Sequence, residues 1–181
     1  MPFFETPQAK SFWTGVLATL VLAAVGAYLF IALGLMPANA DGKPPAIEKW
    51  AARKSLHVTL NREMPKGEPP IPADEENLLA GVRLYKANCL MCHGASDGEA
   101  SNVAAGLYQK PPQFGFHDVT DDPEGRTFWV IKHGLRMTGM PAYSPSLQDT
   151  EVWQIALFLK HMDKLPKKVD KAWRAIPSAR R

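Results

Sequence analysis

The chain has only two cysteines in 181 residues. That excludes a scaffold stapled by several disulfides, and it falls short of the four thiolates a sulfur-only metal site usually takes. No Asp, Glu, Lys or Arg occurs between Ser11 and Ala40, a run of 30 residues. Internal repeats, low-complexity blocks and any βαβ pattern are missing. With 46% hydrophobic residues the chain is too apolar to be mainly disordered, and its length suits one modest domain with appendages rather than a large multidomain enzyme. The formal charge of +3 is unevenly spread: residues 74–163 carry seven bases against twelve acids, and residues 164–181 seven bases against one. A basic tail thus offsets an acidic domain, and the net charge gives no argument for a nucleic-acid partner.

The uncharged run reads as a transmembrane anchor within residues 1–40, centred on 12–36. An α-helix rises about 1.5 Å per residue, so 20–25 residues cross a hydrocarbon core of roughly 30 Å. Trp13 fits an interfacial anchor and Tyr28 a contact with a partner helix. The alternative is a signal peptide cleaved after Ala38-Asn39-Ala40, against which stands an apolar stretch about twice an ordinary h-region of roughly 7–15 residues. Lys10 and Lys43 stand on opposite sides, so charge does not decide the topology.

Residues 41–73 read as a proline-rich tether with a short helix over Ala46–His57, in which Trp50 either docks at an interface or packs on the domain. The compact domain is expected at 74–163. Asp74 is a reasonable N-cap, and Leu78, Val82 and Tyr85 give the following helix a buried face, with Gly81 permitting a close crossing. Residues 94–123 form a loop region wrapping something. A second helix fits Glu124–His133, closed by Gly134, with Phe128 and Ile131 inward. A third spans Asp149–Met162, with Val152, Ile155, Ala156 and Leu159 on one stripe and Trp153 and Phe158 broadening it. Residues 164–181 read as a basic extension with a short helix expected to Trp173. Three short helices make a thin core, and small domains of that kind need a staple or a large apolar insert.

Cys89-Leu90-Met91-Cys92-His93 identifies the insert. C-x-x-C-H is the attachment signature of haem c: two thiols three residues apart reach the two vinyl groups of one porphyrin, and the adjacent imidazole comes up beneath the iron. A redox dithiol lacks its strand–helix setting here, and zinc lacks further ligands beyond His117 or His133. One covalent haem c is therefore expected on Cys89 and Cys92, with His93 as one axial ligand. Met140, 47 residues after His93 in a Gly-Met-Pro loop, is the candidate for the other. A thioether is soft and holds Fe(II) well, and Pro141 fixes the backbone beside it. Met137, His133, His117 and a vacant position are the competing assignments, and Met91 and Met162 are read as packing.

These residues together resemble class I mono-haem c-type cytochromes. The likeness is strongest to the short cytochrome c domains of electron-transfer subunits in bacterial haem–copper oxidases and in membrane quinol or alcohol dehydrogenases. It rests on Gly81 and Tyr85 leading into Cys89, Cys92 and His93, then Gly139, Met140, Pro141 and Tyr143, then Asp149, Glu151, Trp153, Ile155 and Leu159. It covers roughly residues 74–163. The resemblance implies an all-α fold of three main short helices around the haem, here preceded by the membrane helix. It also implies a domain on the periplasmic side of a bacterial inner membrane, where haem is attached. Two departures stand out. Gln148 occupies the position where relatives often cap the last helix with Ser or Thr, leaving Ser146 or Asp149 to serve. The anchor, tether and tail match no family pattern.

An iron with both axial positions filled offers no place for a small-molecule substrate, so the expected function is single-electron transfer rather than catalysis. The expected partner is a membrane redox complex such as an oxidase, a quinol-oxidising complex or a dehydrogenase, with lipid around the first helix. A peroxidase-like haem enzyme and a haem-based gas or redox sensor are the alternatives. Pro111, Pro112, Phe114 and Phe116 are candidates to pack on the porphyrin, and Arg126, Trp129 and Tyr143 to meet its edge. The acidic domain suits a basic partner patch, and the basic tail either anionic lipid, an acidic subunit or a solubilising role.

Overall fold

The computed structural model describes residues 7–115 and 120–178. Among them are eight helices and no strand, in two compact units, 1–39 and 40–181. The first unit is one helix, α1 (Pro7–Ala32), long and apolar enough to cross a membrane and with none of its side chains buried. Its polar interruptions are satisfied within the helix: the hydroxyls of Ser11, Thr14 and Thr19 donate to the carbonyls of Pro7, Lys10 and Gly15. A lipid environment demands such internal pairing. The helix ends at Ala32 rather than at the expected Met36. Gly34 takes a left-handed turn (φ 68°) and Leu35 N–H reaches back to Phe30 O, closing the C-terminus in a Schellman-like wrap.

The second unit contains α2 (Ala46–Glu63), α3 (Glu75–Asn88), α4 (Leu90–His93), α5 (Asn102–Gly106), α6 (Glu124–His133), α7 (Asp149–Lys160) and α8 (Lys167–Arg174). The sequence periodicity of the central helices is met. Asp74 caps α3, its carboxylate accepting from Asn77 N–H at 2.9 Å, and Leu78, Val82 and Tyr85 are buried. The backbone crosses α7 at Gly81, where a Cβ would lie 2.2 Å from Gln154 O and 2.8 Å from Phe158 Cβ. On α6, Phe128 and Ile131 turn inward, and Phe128 stacks on Trp153 of α7 with centroids 4.2 Å apart. Helix α7 starts differently from expectation. Ser146 Oγ donates to Tyr143 O and Asp149 pairs with Lys132, while the Glu151 carboxylate accepts from Gln148 N–H at 2.8 Å. The capping interaction thus comes from Glu151 in the first turn.

Two segments read as appendages belong to the body of this unit. Helix α2 continues past His57 to Glu63, ending where Met64 turns extended before Pro65. The Pro65 backbone then passes over α6 so closely that a Cβ on Gly125 would sit 2.1 Å from its carbonyl oxygen. Leu60 of α2 is buried, and Tyr108 O–H donates to Glu48 at 3.0 Å. The basic extension is likewise docked. On α8, Val169 and Trp173 are buried, as is Ile176 just beyond it, and the Trp173 ring meets Tyr85 and Phe158 edge-on, each at 5.3 Å. The partner of Trp173 is therefore the domain's own core, and the lysines of the segment line its outer side, Lys168 reaching Glu75 at 3.1 Å.

Candidate haem site

Helix α3 delivers Cys89 at its C-terminal cap, and the single turn of α4 turns the chain so that Cys92 and His93 follow on one side, Cys92 and His93 N–H both bonding Cys89 O. Gly94 leaves this turn at φ 74°, a left-handed conformation that glycine adopts without steric cost. Four bonds then tie the segment down. The buried Tyr85 hydroxyl donates to Gly94 O at 2.7 Å. Gln113 Nε2 donates to Cys92 O at 3.0 Å, and Phe114 N–H to His93 O at 3.1 Å. His93 Nδ1 lies 3.0 Å from Pro112 O. A carbonyl only accepts, so Nδ1 carries the proton there and Nε2 keeps its lone pair. A histidine that serves as a metal ligand is set up in this way. Burial lowers the His93 pKa, against the opposing pull of the Pro112 bond, and so favours the neutral, ligating form. The ring stacks on Phe114 at 4.6 Å, nearly parallel.

Met140 comes from the loop between α6 and α7. Gly134 turns that loop with φ 66° at a point where a Cβ would strike Pro141 and Ala142. Leu135 N–H bonds Met140 O, and Met140 N–H bonds Thr138 Oγ1. Tyr143 O–H donates to Asn88 O at 2.6 Å, pinning the loop to the residue before Cys89.

Cys89, Cys92, His93 and Met140 line one cleft, whose empty volume is about 1220 Å³ with its open mouth included. Apolar side chains make most of the remaining wall: Leu107, Pro111, Pro112, Phe114, Val130, Ile131, Leu135, Ile155 and Leu159. A large flat apolar group bearing two sulfur attachments fits this lining. The free Cys89 thiol would be pushed up to about 12 by burial and by Cys92 beside it, so an uncharged, thioether-linked sulfur suits the position. Arg126 and Tyr143 also line the cleft, Arg126 in a 2.7 Å pair with Asp122. Trp129 does not line it and packs instead beside His133, 4.9 Å between centroids. Phe116 and His117 lie outside the described residues. Met162 packs on the core as expected, whereas Met91 and Met137 are exposed.

Sequence reasoning missed Leu56 and Leu60 of α2, which wall the cleft from outside the 74–163 segment. Their i, i+4 spacing was the available signal, masked by the surrounding charge and the prolines that follow.

Comparison with known proteins bears on residues 76–159, which match the family described as cytochrome c oxidase, cbb3-type, subunit III. A thiosulfate dehydrogenase of Allochromatium vinosum is 34% identical over 83 residues, covering 44% of this chain and 29% of that protein. The chain therefore spans less than a third of the length of this curated relative. No solved structure matches. The matched segment is a c-type cytochrome domain related to the electron-transfer subunits of cbb3-type oxidases. Its paired cysteines are those of a domain carrying a single covalent haem c.

Proposed function

We propose that the protein is a membrane-tethered electron carrier, in which Cys89 and Cys92 hold the haem and His93 and Met140 are the axial ligands. The observation that carries this reading is the convergence of all four side chains on one apolar cleft. Bound there, haem c supplies a one-electron iron couple. Around it the chain's residues orient and exclude. Pro112 O fixes the His93 tautomer, Tyr143 holds the Met140 loop against α3, and Leu56 and Leu60 limit water at the cleft. With two protein ligands in place there is no room for a substrate at the metal, and outer-sphere transfer is the function that remains.

The domain lies on the periplasmic side, with the N-terminus of α1 in the cytoplasm, because haem c is attached outside the inner membrane. Its partner is a membrane redox complex of the oxidase kind, in keeping with the family match at residues 76–159. The proposed cytochrome unit extends beyond 74–163 to α2 and α8, a reading supported by the burial of Leu60, Val169, Trp173 and Ile176 within the second unit.

Optical spectra of the membrane-extracted protein, oxidised and reduced, test the ligation. The expected result is covalent haem with a sulfur-to-iron charge-transfer band, and Met140→His abolishes that band. That substitution also lowers the reduction potential, on the order of 100 mV or more, since axial ligands command a span of roughly 0.8 V. An unchanged band and potential in Met140→His would overturn the Met140 assignment. Haem without the band in the native protein, with ready carbon monoxide binding, would favour a sensor or enzyme.

A further inference from the structure

Helix α2 has two dissimilar faces. One carries Leu56 and Leu60 toward the haem cleft. About half a turn away around the helix, at i, i+3, i+7 and i+11, lie Ile47, Trp50, Lys54 and Val58. Ile47 is 70%, Trp50 65% and Val58 50% exposed, although a tryptophan and an isoleucine left in water forgo the burial that would stabilise them. No acid falls on this stripe. The two acids of the helix are engaged elsewhere, Glu48 with Tyr108 and Glu63 with Arg62. Arg53 lies on the same helix at the edge of the stripe, and Lys43 precedes the helix in sequence.

We propose that this outer face of α2 lies on the anionic surface of the bilayer, with Trp50, Ile47 and Val58 in the headgroup–acyl boundary and Lys54 among lipid phosphates. Three observations favour lipid over a protein partner. Thirteen residues separate the helix from the end of α1, and such a segment reaches at most about 45 Å, so a surface of this chemistry is always within range of it. Tryptophan beside aliphatic side chains, with basic residues and no acid, is the composition of helices that lie in the membrane interface. The attraction of lysines for an anionic leaflet also complements the charge left unpaired here. The inference rests on α1 as a membrane anchor but not on the electron-transfer reading. Its consequence is that one helix touches the bilayer on one face and the haem cleft on the other, which sets the orientation of the cleft toward the membrane plane.

The test uses the full-length holoprotein in nanodiscs of zwitterionic lipid and in nanodiscs with a third of the lipid anionic. Acylation of each lysine is followed by mass spectrometry. In the anionic discs we expect Lys54 labelling to slow on the order of five-fold, the factor matching one favourable lysine–surface interaction. Lys86 and Lys171 should keep their rates. In Ile47→Ser/Trp50→Ser, whose side chains are exposed and whose loss leaves the core intact, Lys54 regains its reactivity. Equal Lys54 rates in both discs overturn the proposal, as does protection that survives the double substitution. Lys54 protection in detergent that grows with protein concentration overturns it in favour of a second copy of the chain. Elution of the protein apart from the discs overturns the anchor reading, and the α2 inference with it.

Discussion

His93 enters the cleft from a segment tied to the rest of the domain by Tyr85, Pro112, Gln113 and Phe114, partners up to 21 residues away in sequence. Met140 enters from a loop bonded mostly to itself and to the end of the helix before it, Leu135 N–H to Met140 O, Met140 N–H to Thr138, and Tyr143 and Ser144 N–H to Ile131 and Lys132 O, with the Tyr143 hydroxyl supplying the tie to Asn88. One side of the site is therefore built into the fold and the other is hung from it. With His93 and Met140 as the proposed axial ligands, the imidazole side would fix where the haem sits, and the sulfur side could be retuned without rebuilding the core.

The largest effect follows from removing one proposed ligand or the other. His93→Ala should fail to yield a stable holoprotein, because it leaves the Pro112 carbonyl unpaired and removes the ring that stacks on Phe114. Met140→Ala should mature with covalent haem at near-native yield and bind carbon monoxide when reduced. Haem-stained yield per chain and a reduced-plus-CO spectrum measure both. Equal loss of haem from the two variants would break the contrast between the sides.

Gly134→Ala comes next. The residue holds φ 66°, and its Cβ would lie 2.6 Å from both Ala142 N and Pro141 C, backbone atoms with little freedom to yield. A strained left-handed residue costs about 1–3 kcal/mol. Because the clash falls on the residues next to Met140, we expect a lower Tm together with loss of the sulfur–iron band. A lower Tm with the band intact would mean that the loop absorbs the strain away from its methionine.

What was legible in the sequence follows the same division. The attachment motif is local, five residues whose chemistry needs no tertiary context, and it read cleanly. So did α3, α6 and α7, because each buries a stripe at helical period against a neighbour, and the glycine at their crossing is where a side chain would collide. The helix over 46–57 was legible, but its continuation to Glu63 and its packing on the cleft through Leu56 and Leu60 were not, because those leucines are set among charges and followed by prolines. Pro65 there stops a helix and leads the backbone across Gly125, a packing role that composition alone reads as a linker. The short helix ending near Trp173 was expected, but its docking on the core was hidden for a related reason. Val169, Trp173 and Ile176 are spaced to share a face, but the lysines between them made the stretch look solvated. In both cases the apolar content is small and its value depends on a cavity or a core formed by distant parts of the chain.

The smallest effect gives the finest comparison, between two tyrosine hydroxyls. Tyr143→Phe removes the bond to Asn88 O, and Tyr85→Phe removes the bond to Gly94 O. Each leaves a carbonyl short of its donor and should cost about 1–2 kcal/mol, read as similar decreases in denaturant midpoint. Their effects on the site should differ. Tyr143 holds the loop bearing Met140, so its loss raises the population in which the sulfur is displaced, and imidazole affinity should rise on the order of five-fold for about 1 kcal/mol. Tyr85 is fully buried beneath the His93 turn and touches nothing in that loop through its hydroxyl, so imidazole affinity should stay at the native value in Tyr85→Phe. Equal increases in both variants would mean that the Met140 loop is held through the core as a whole, and the distinction between a built-in and a suspended side of the cleft would fall.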